Sequence, residues 1–382
     1  MLSPSEFRAH FPLLSRRVYL NSCSQGALSR EVEDAFGAFL ASWHDRGSPW
    51  DLWVGKVEEL RAAFARSIGA DVDEVAVVPS ASAGINAIAS ALRFGGTRSG
   101  VVIGELEFPT MGHVWLAQRR RGAQVTWLKA DNGRLEVDRY GAVVDETTAV
   151  VPASHVSFLN GFRVDVAGVA AVCHERGAYL FVDDYQRTGT APIDVHQLGV
   201  DFLVTGSLKY LLGPSGVAYL YVRRKLIDRL EPLFTGWFGR VNPFDFMLDR
   251  LDWSPSARRF ETGTPTVVNA WAALAALQLL EQVGWAEIER HIAHLVDRFI
   301  SRAGDEGWNV LTPADAARRG PLVVLGCRDA AELARRLEAR AVIVSARGSG
   351  VRASFHAYNN EQDVEAAIEA IRAESELLEK AE

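Results

Sequence analysis

Cysteine is scarce in this chain: three in 382 residues, at 23, 173 and 327, an odd number without metal-type spacing. That excludes a disulfide scaffold and a zinc-type cluster, and it fits a reducing cytoplasm. Long apolar runs are missing too. No stretch approaches the roughly 20 residues a membrane helix needs, and MLSPSEFRAHFPLLSRRVYL at the start lacks the unbroken apolar core of a signal peptide. Positive charge is not in excess: 41 Lys and Arg face 48 Asp and Glu, a net charge of −7. Nothing chain-wide calls for nucleic acid or an anionic membrane as a partner. No internal repeat, low-complexity tract or G-x-G-x-x-G after the first strand is present, and the last absence argues against a nicotinamide dinucleotide site.

What is there is a chain 48% hydrophobic, enough for one large domain or two unequal ones. From about residue 70 to 225, short apolar runs alternate with helical segments. Strands are expected at 74–78, 101–103, 125–128, 149–151, 178–182, 202–204 and 217–222, with helices over about 83–93, 112–121 and 165–176. That alternation predicts βαβ units, an α/β fold with a mostly parallel sheet and helices on both faces. Beyond about 255 the rhythm changes. A long helical stretch over roughly 266–304 precedes strands at 322–325, 342–344 and 351–354, a helix at 330–339 and a final helix over about 361–379. This predicts a smaller α+β domain, with residues 19–255 as the large domain and 1–18 plus 256–382 as the small one.

One lysine stands out. In VTGSLKYLLG, Lys209 lies between a buried strand and a glycine turn, with no other charge nearby. A lysine held there either snorkels to solvent or serves as an amine for an aldehyde cofactor. Asp183, in FVDDYQRTG, ends the preceding strand, where it caps a turn or holds a proton on a ring nitrogen. Gln186 lies three residues on, placed to donate to a phenolic oxygen. PSASAGIN, at 79–86, puts small residues and hydroxyls, including Ala81 and Ser82, at a helix start. Such a start is an ordinary cap or a phosphate cradle.

The run FVDDYQRTGTAPIDVHQLGVDFLVTGSLKYLLGPSGVAYLYVRR resembles the core signature of the class V aminotransferase family. The family includes kynureninases, cysteine desulfurases and isopenicillin-epimerase-like proteins, all fold type I pyridoxal-phosphate enzymes. The likeness extends from YLNSCSQGAL at 19–28 to VRASFHAYNNEQDVEAAIEAI at 351–371. It implies pyridoxal 5'-phosphate as cofactor, Lys209 as the Schiff-base lysine, Asp183 as the pyridinium partner and Gln186 as the phenolic-oxygen contact. Ser207, Ser82 and Ala81 fall at phosphate-side positions. Phe108, in EFPTMGHVW, resembles the kynureninase-type FPT phenylalanine that stacks on the ring, and Trp237 in TGWFGRVNPF resembles that branch too. Thr264, in ETGTPT, resembles the threonine that reaches the partner subunit's phosphate, which implies a homodimer with shared active sites. Arg352 matches the α-carboxylate anchor, with Arg347 as a second anchor and Asn21 as a further substrate contact. Against that, an arginine on an edge strand facing water is the plain reading of Arg352.

Leu208 and Phe108 stand where desulfurases carry histidines, and the loop ARGSGVR before Arg352 holds no cysteine. Cys23, Cys173 and Cys327 lie elsewhere. The resemblance therefore implies a transaminase or a kynureninase-like carbon–carbon or carbon–sulfur lyase acting on an amino acid. The alternatives are a desulfurase or selenocysteine lyase, an epimerase, or a non-catalytic relative.

Overall fold

The computed structural model describes residues 1–381. A short strand β1 (Val18–Tyr19) precedes the seven strands of the main sheet: β2 (Val75–Val78), β3 (Gly100–Gly104), β4 (Gln124–Leu128), β5 (Thr148–Ser154), β6 (Tyr179–Asp183), β7 (Phe202–Gly206) and β8 (Ala218–Val222). Their order is β2-β8-β7-β6-β5-β3-β4. All neighbours run parallel except β8, which is antiparallel to both β2 and β7. Strands β2, β5, β7 and β8 are buried along their whole length. Only a sheet covered on both faces can use such continuous apolar runs.

The two covering layers show in adjacent residues of β8. Tyr219 stacks on Phe64 of the helix Trp50–Ser67, ring centroids 3.8 Å apart. Leu220 turns the other way, towards Gly84 of the helix Ala81–Ala91, where an added Cβ would lie 3.4 Å from the leucine Cβ. Alternation along a strand sends successive side chains to opposite faces. Ser154 of β5 and Asp183 of β6 are register partners at the carboxyl ends of their strands. Ligand sites of parallel sheets gather at that edge.

The second unit is built on an antiparallel sheet of β9 (Leu322–Gly326), β11 (Ser345–Arg347) and β12 (Gly350–Ser354), with β12 in the middle. A further short strand, β10 (Val342–Ile343), pairs in parallel with β1. The amino-terminal residues lie on this unit. Phe11 meets Tyr358 with ring centroids 4.9 Å apart, and Arg8 grips Asp363 through two bonds of 2.7 and 3.0 Å.

The helical stretch expected over 266–304 is two helices, Val267–Val283 and Trp285–Asp305. Gly284, at φ 91°, breaks them in a conformation that L side chains rarely adopt. The first of the two packs on the helices Arg30–Arg46 and Trp50–Ser67, beside the large sheet. The main sheet ends with β8 at Val222, ahead of the change of rhythm near 255, and the helix Val267–Val283 still packs on helices beside that sheet. The final helix is shorter than expected, Glu361–Arg372, and is followed by a single 3-10 turn, Ser375–Leu377.

One buried ion pair ties the loop before Val267 to the sheet. Arg61 meets Glu261 at 2.5 Å, with both side chains 5% exposed or less. Arg61 also donates to the Val75 carbonyl at 2.9 Å, and Glu261 accepts from the Val77 amide at 2.9 Å. Removing one partner of a buried pair strands the other charge. Arg61 keeps a second carboxylate in Glu58, at 2.9 and 3.1 Å, so Arg61→Ala, which strands the buried Glu261, is the variant expected to cost roughly 3 kcal/mol or more of stability, read from the denaturant midpoint. A loss under about 1 kcal/mol would show the pair to be replaceable by water.

Candidate active site

Lys209 sits three residues past β7, in a turn closed by Leu212 N–H to the Lys209 carbonyl (3.2 Å) and Gly213 N–H to the Ser207 carbonyl (2.9 Å). The loop 21–28 lies directly on this turn. Gly26 N–H donates to the Leu208 carbonyl at 2.7 Å, and a Cβ on Gly26 would stand 2.5 Å from the Lys209 carbonyl oxygen. Only glycine permits that approach. The Lys209 ammonium lies 4.2 Å from the Tyr185 ring centroid and 5.7 Å from that of Phe108. Among the described residues it makes no hydrogen bond or ion pair. Burial lowers its pKa to about 8, against the opposing pull of Asp183. The position therefore holds an amine that is about a tenth neutral at pH 7, far more than an ordinary snorkelling lysine.

Asp183 ends β6 and is 8% exposed. Its carboxylate accepts from the Tyr185 amide at 3.0 Å. Burial raises its pKa above the usual carboxylate range, while that amide and Lys209 work in the other direction. Gln186 is also buried. Its Nε2 donates to the Cys23 carbonyl at 3.1 Å, and its Oε1 has no partner. Across from these groups, Ser80 caps the helix Ala81–Ala91 by accepting from the Ala83 amide, and Ser82 Oγ donates to Thr110 Oγ1 at 3.3 Å. The first amides of a helix have no partner within it. Ala81, Ser82, Phe108, Asp183, Gln186 and Lys209 share one cavity of about 270 Å³.

Several expected residues lie outside that cavity's walls. Ser207 is fully buried and its hydroxyl donates to the Pro214 carbonyl at 2.8 Å. Trp237 is half-buried in an aromatic cluster with Phe238, Phe244 and Phe246. Thr264 is exposed in the loop before Val267. Neither reaches Lys209 within this chain.

Arg352 is not an edge-strand residue facing water. It lies on the middle strand β12 and is 1% exposed. Its guanidinium donates to Ser345 Oγ (3.1 Å), the Phe158 carbonyl (2.7 Å) and Ser24 Oγ (3.1 Å). Arg347 is exposed on β11, and Asn21 bridges to Ser354 beside β12. Cys23 is buried, with its sulfur 3.8 Å from Asn21 Oδ1 and 3.7 Å from Ser345 Oγ. Through its bond to Phe158, which lines the cavity, Arg352 reaches the edge of the opening that holds Lys209.

Sequence reasoning missed Tyr185, Ser154, Thr110 and Phe158, which line the cavity, and Glu107, which lies behind it. Tyr185 sits inside the quoted FVDDYQ motif, so its place was available. It needs Gly206 opposite, because a Cβ there would meet the tyrosine hydroxyl at 2.0 Å. Phe158 packs edge-on against Phe108, centroids 5.2 Å apart. The donor set fits pyridoxal phosphate. An unpartnered amine suits its aldehyde, a buried carboxylate its ring nitrogen, the second Nε2 proton of Gln186 its phenolic oxygen and free helix amides its phosphate.

Comparison with known proteins bears on this directly. Residues 53–367 match the family "Aminotransferase class-V". The chain is 35% identical over 372 residues to the uncharacterized aminotransferase YcbU of Bacillus subtilis, covering 97% of this chain and 98% of that protein. It is 30% identical to the kynureninase of Deinococcus radiodurans (83% and 79% covered) and 31% identical to a probable cysteine desulfurase of Methanothermobacter thermautotrophicus (75% and 72%). Among solved structures, the cysteine desulfurase of Thermococcus onnurineus superposes with a TM-score of 0.87 over 98% of this chain and 99% of the other, at 22% identity. The cystine C-S lyase C-DES gives 0.86 over 94% and 98%, at 21% identity. At that identity the structures speak for the fold, which is the fold type I arrangement. The chain belongs to the class V aminotransferase family and is a pyridoxal-phosphate enzyme of amino-acid chemistry.

Proposed function

We propose that this enzyme is a transaminase or a kynureninase-like carbon–carbon or carbon–sulfur lyase, and not a sulfur carrier. The observation that carries this reading is the β11–β12 hairpin, Ser345 to Ser354, which holds arginines and no thiol, its Arg352 bonded to the cavity residue Phe158. A persulfide carrier needs a thiolate free to attack and leave.

Bound in the cavity, pyridoxal phosphate supplies an electron sink for the bond broken at the substrate's α-carbon. The chain's own groups do the rest. Lys209, with its lowered pKa, serves as the amine that holds the aldehyde and then as the base at the α-carbon. Asp183 keeps a proton on the ring nitrogen, because its buried carboxylate needs a cationic partner. Arg352 exchanges its bonds to Phe158 and Ser24 for a bidentate grip on the substrate carboxylate. Phe108 and Tyr185, which line the cavity beside Lys209, would shield a ring bound there from water.

Cys23 favours a second reading, since its sulfur lies 3.7 Å from Ser345 Oγ at the start of that hairpin. At 1% exposure, however, it has no path along which to hand sulfur onward.

We also propose a homodimer, in the cytoplasm, which the three unpaired cysteines suit. The segment 233–251 exposes Leu233, Val241, Phe246, Leu248 and Leu251, with Leu248 fully exposed. A patch of that kind fits a second copy of the same surface, and Trp237 and Thr264 lie along it.

Two outcomes test these readings. In a visible-spectrum screen of amino acids, the wild type should respond to at least one, and Arg352→Lys should weaken that response about tenfold or more in apparent affinity, since charged hydrogen bonds are worth roughly 1.5–3 kcal/mol. Within that screen L-cysteine should release no alanine. Robust alanine release, lost in Cys23→Ala, would move the assignment to sulfur transfer. Second, sedimentation should show a dimer that Phe246→Asp with Leu248→Asp converts to monomer, with cofactor retention lost. A wild-type monomer with full cofactor would remove the shared site.

A further inference from the structure

Behind the cavity wall lies a carboxyl that the steps above do not use. Glu107, in the turn after β3, is 9% exposed. It takes two bonds from one residue: the Ser154 amide to Oε1 at 2.7 Å and the Ser154 hydroxyl to Oε2 at 2.6 Å. Ser154 itself lines the cavity and is the register partner of Asp183 on the next strand. Three titratable groups bear on Glu107 and its surroundings. Asp183 from β6 carries like charge. Tyr140, from the helix Val137–Gly141, is fully buried and its hydroxyl has no partner. That hydroxyl and Glu107 Oε1 both lie 3.7 Å from the point a Gly104 Cβ would occupy. Glu105, two residues back, is turned away to the Ala130 amide at 2.8 Å. No cation contacts Glu107 among the described residues.

A serine hydroxyl has one proton to give. When Glu107 is ionised, Ser154 must donate to it and shows only lone pairs to the cavity. When Glu107 is neutral, its own O–H donates to Ser154 Oγ, its carbonyl oxygen still accepts the Ser154 amide, and the serine proton is released towards the cavity. No proton is lost or gained beyond the one Glu107 takes from solvent. Both consequences favour the ionised form of Asp183: a like charge is removed, and a donor is freed beside it.

We propose that Glu107 is a positioning residue whose neutral form turns the Ser154 hydroxyl into the cavity and so helps hold Asp183 ionised against the cofactor's ring nitrogen. This rests on the cofactor site described above. Burial, with Asp183 adding to it and the Ser154 bonds opposing it, raises the Glu107 pKa to about 7. The carboxyl is thus neutral below that pH and ionised above it, and the support given to Asp183 fades as pH rises through that value.

The test uses the full chain freed of cofactor and pyridoxine 5'-phosphate, which carries the ring and phosphate but no aldehyde, so Lys209 cannot form a covalent link. Quenching of tryptophan fluorescence reports its affinity from pH 6 to 9. Glu107→Gln keeps both bonds to Ser154 in the neutral sense at every pH. Wild type and Glu107→Gln should bind alike at pH 6, and wild type should fall behind by about tenfold at pH 8.5, the worth of one hydrogen bond to a charged group. Ser154→Ala should bind more weakly than wild type at pH 6, and adding Glu107→Gln to it should restore little at pH 8.5. Parallel profiles for wild type and Glu107→Gln would overturn the proposal, as would a gap that survives undiminished in Ser154→Ala. Isotope-edited infrared spectra of the same protein give a second readout. A carboxyl band titrating near neutral pH and absent in Glu107→Gln is expected, and a band ionised throughout would overturn it. Absence of any binding by wild type would overturn the cofactor site as a whole, an outcome distinct from parallel profiles.

Discussion

The site depends on keeping an amine and a carboxylate in one low-dielectric cavity without letting them neutralise each other in an ion pair. Lys209 and Asp183 feel each other's charge, each pulling the other towards its ionised form, yet no salt bridge joins them. A lysine paired directly with an aspartate would be a spectator, locked in its ammonium form. Here the Tyr185 ring flanks the amine, and Asp183 is held by the Tyr185 amide instead. Each group keeps a need that a bound ring with an aldehyde and a basic nitrogen can satisfy.

Much of the fold serves that separation. Parallel pairing of β6 with β7 brings the two groups to the same sheet edge, and the Ser207–Gly213 turn sets Lys209 back from the strand end. The amino-terminal loop seals the turn through Gly26 and supplies the Cys23 carbonyl that orients Gln186. From the other unit, β12 delivers Arg352, whose present acceptors are a carbonyl and two hydroxyls. Under the proposed role of Arg352, these neutral partners would give way to a substrate carboxylate at lower cost than a carboxylate partner would. The Arg61–Glu261 pair, far from the chemistry, fixes where the chain leaves the aromatic loop for the helix Val267–Val283.

The layout of the main sheet was legible because its strands carry continuous apolar runs spaced by helical segments, a period that composition alone displays. Lys209, Asp183, Gln186, Ala81, Ser82 and Phe108 were legible as cavity residues because each follows a strand of a parallel sheet, where the chain has one edge to go to. Position relative to a strand says less about side-chain direction. Ser207 lies two residues before Lys209, yet its hydroxyl is spent on Pro214. Trp237 and Thr264 were placed by resemblance, and within this chain neither lines the cavity. Arg352 was ambiguous because strand order within a sheet is a long-range property, and the helical stretch near 284 read as one because a single glycine is a weak signal between helices of 17 and 21 residues. Glu107 was invisible for a different reason: its role lies in two bonds to Ser154, 47 residues away in the chain.

The central claim is that Lys209 is the amine that carries the cofactor, and chemical trapping tests it most directly. Incubating the chain with pyridoxal 5'-phosphate, reducing with borohydride and mapping the peptides should place the pyridoxyl group on Lys209 alone. Because the amine must be neutral to react, and its pKa lies at about 8, the rate of incorporation should rise with pH through that value and level off above it. A label on another lysine, or a rate still climbing towards the pKa of an ordinary exposed lysine near 10.4, would contradict the account.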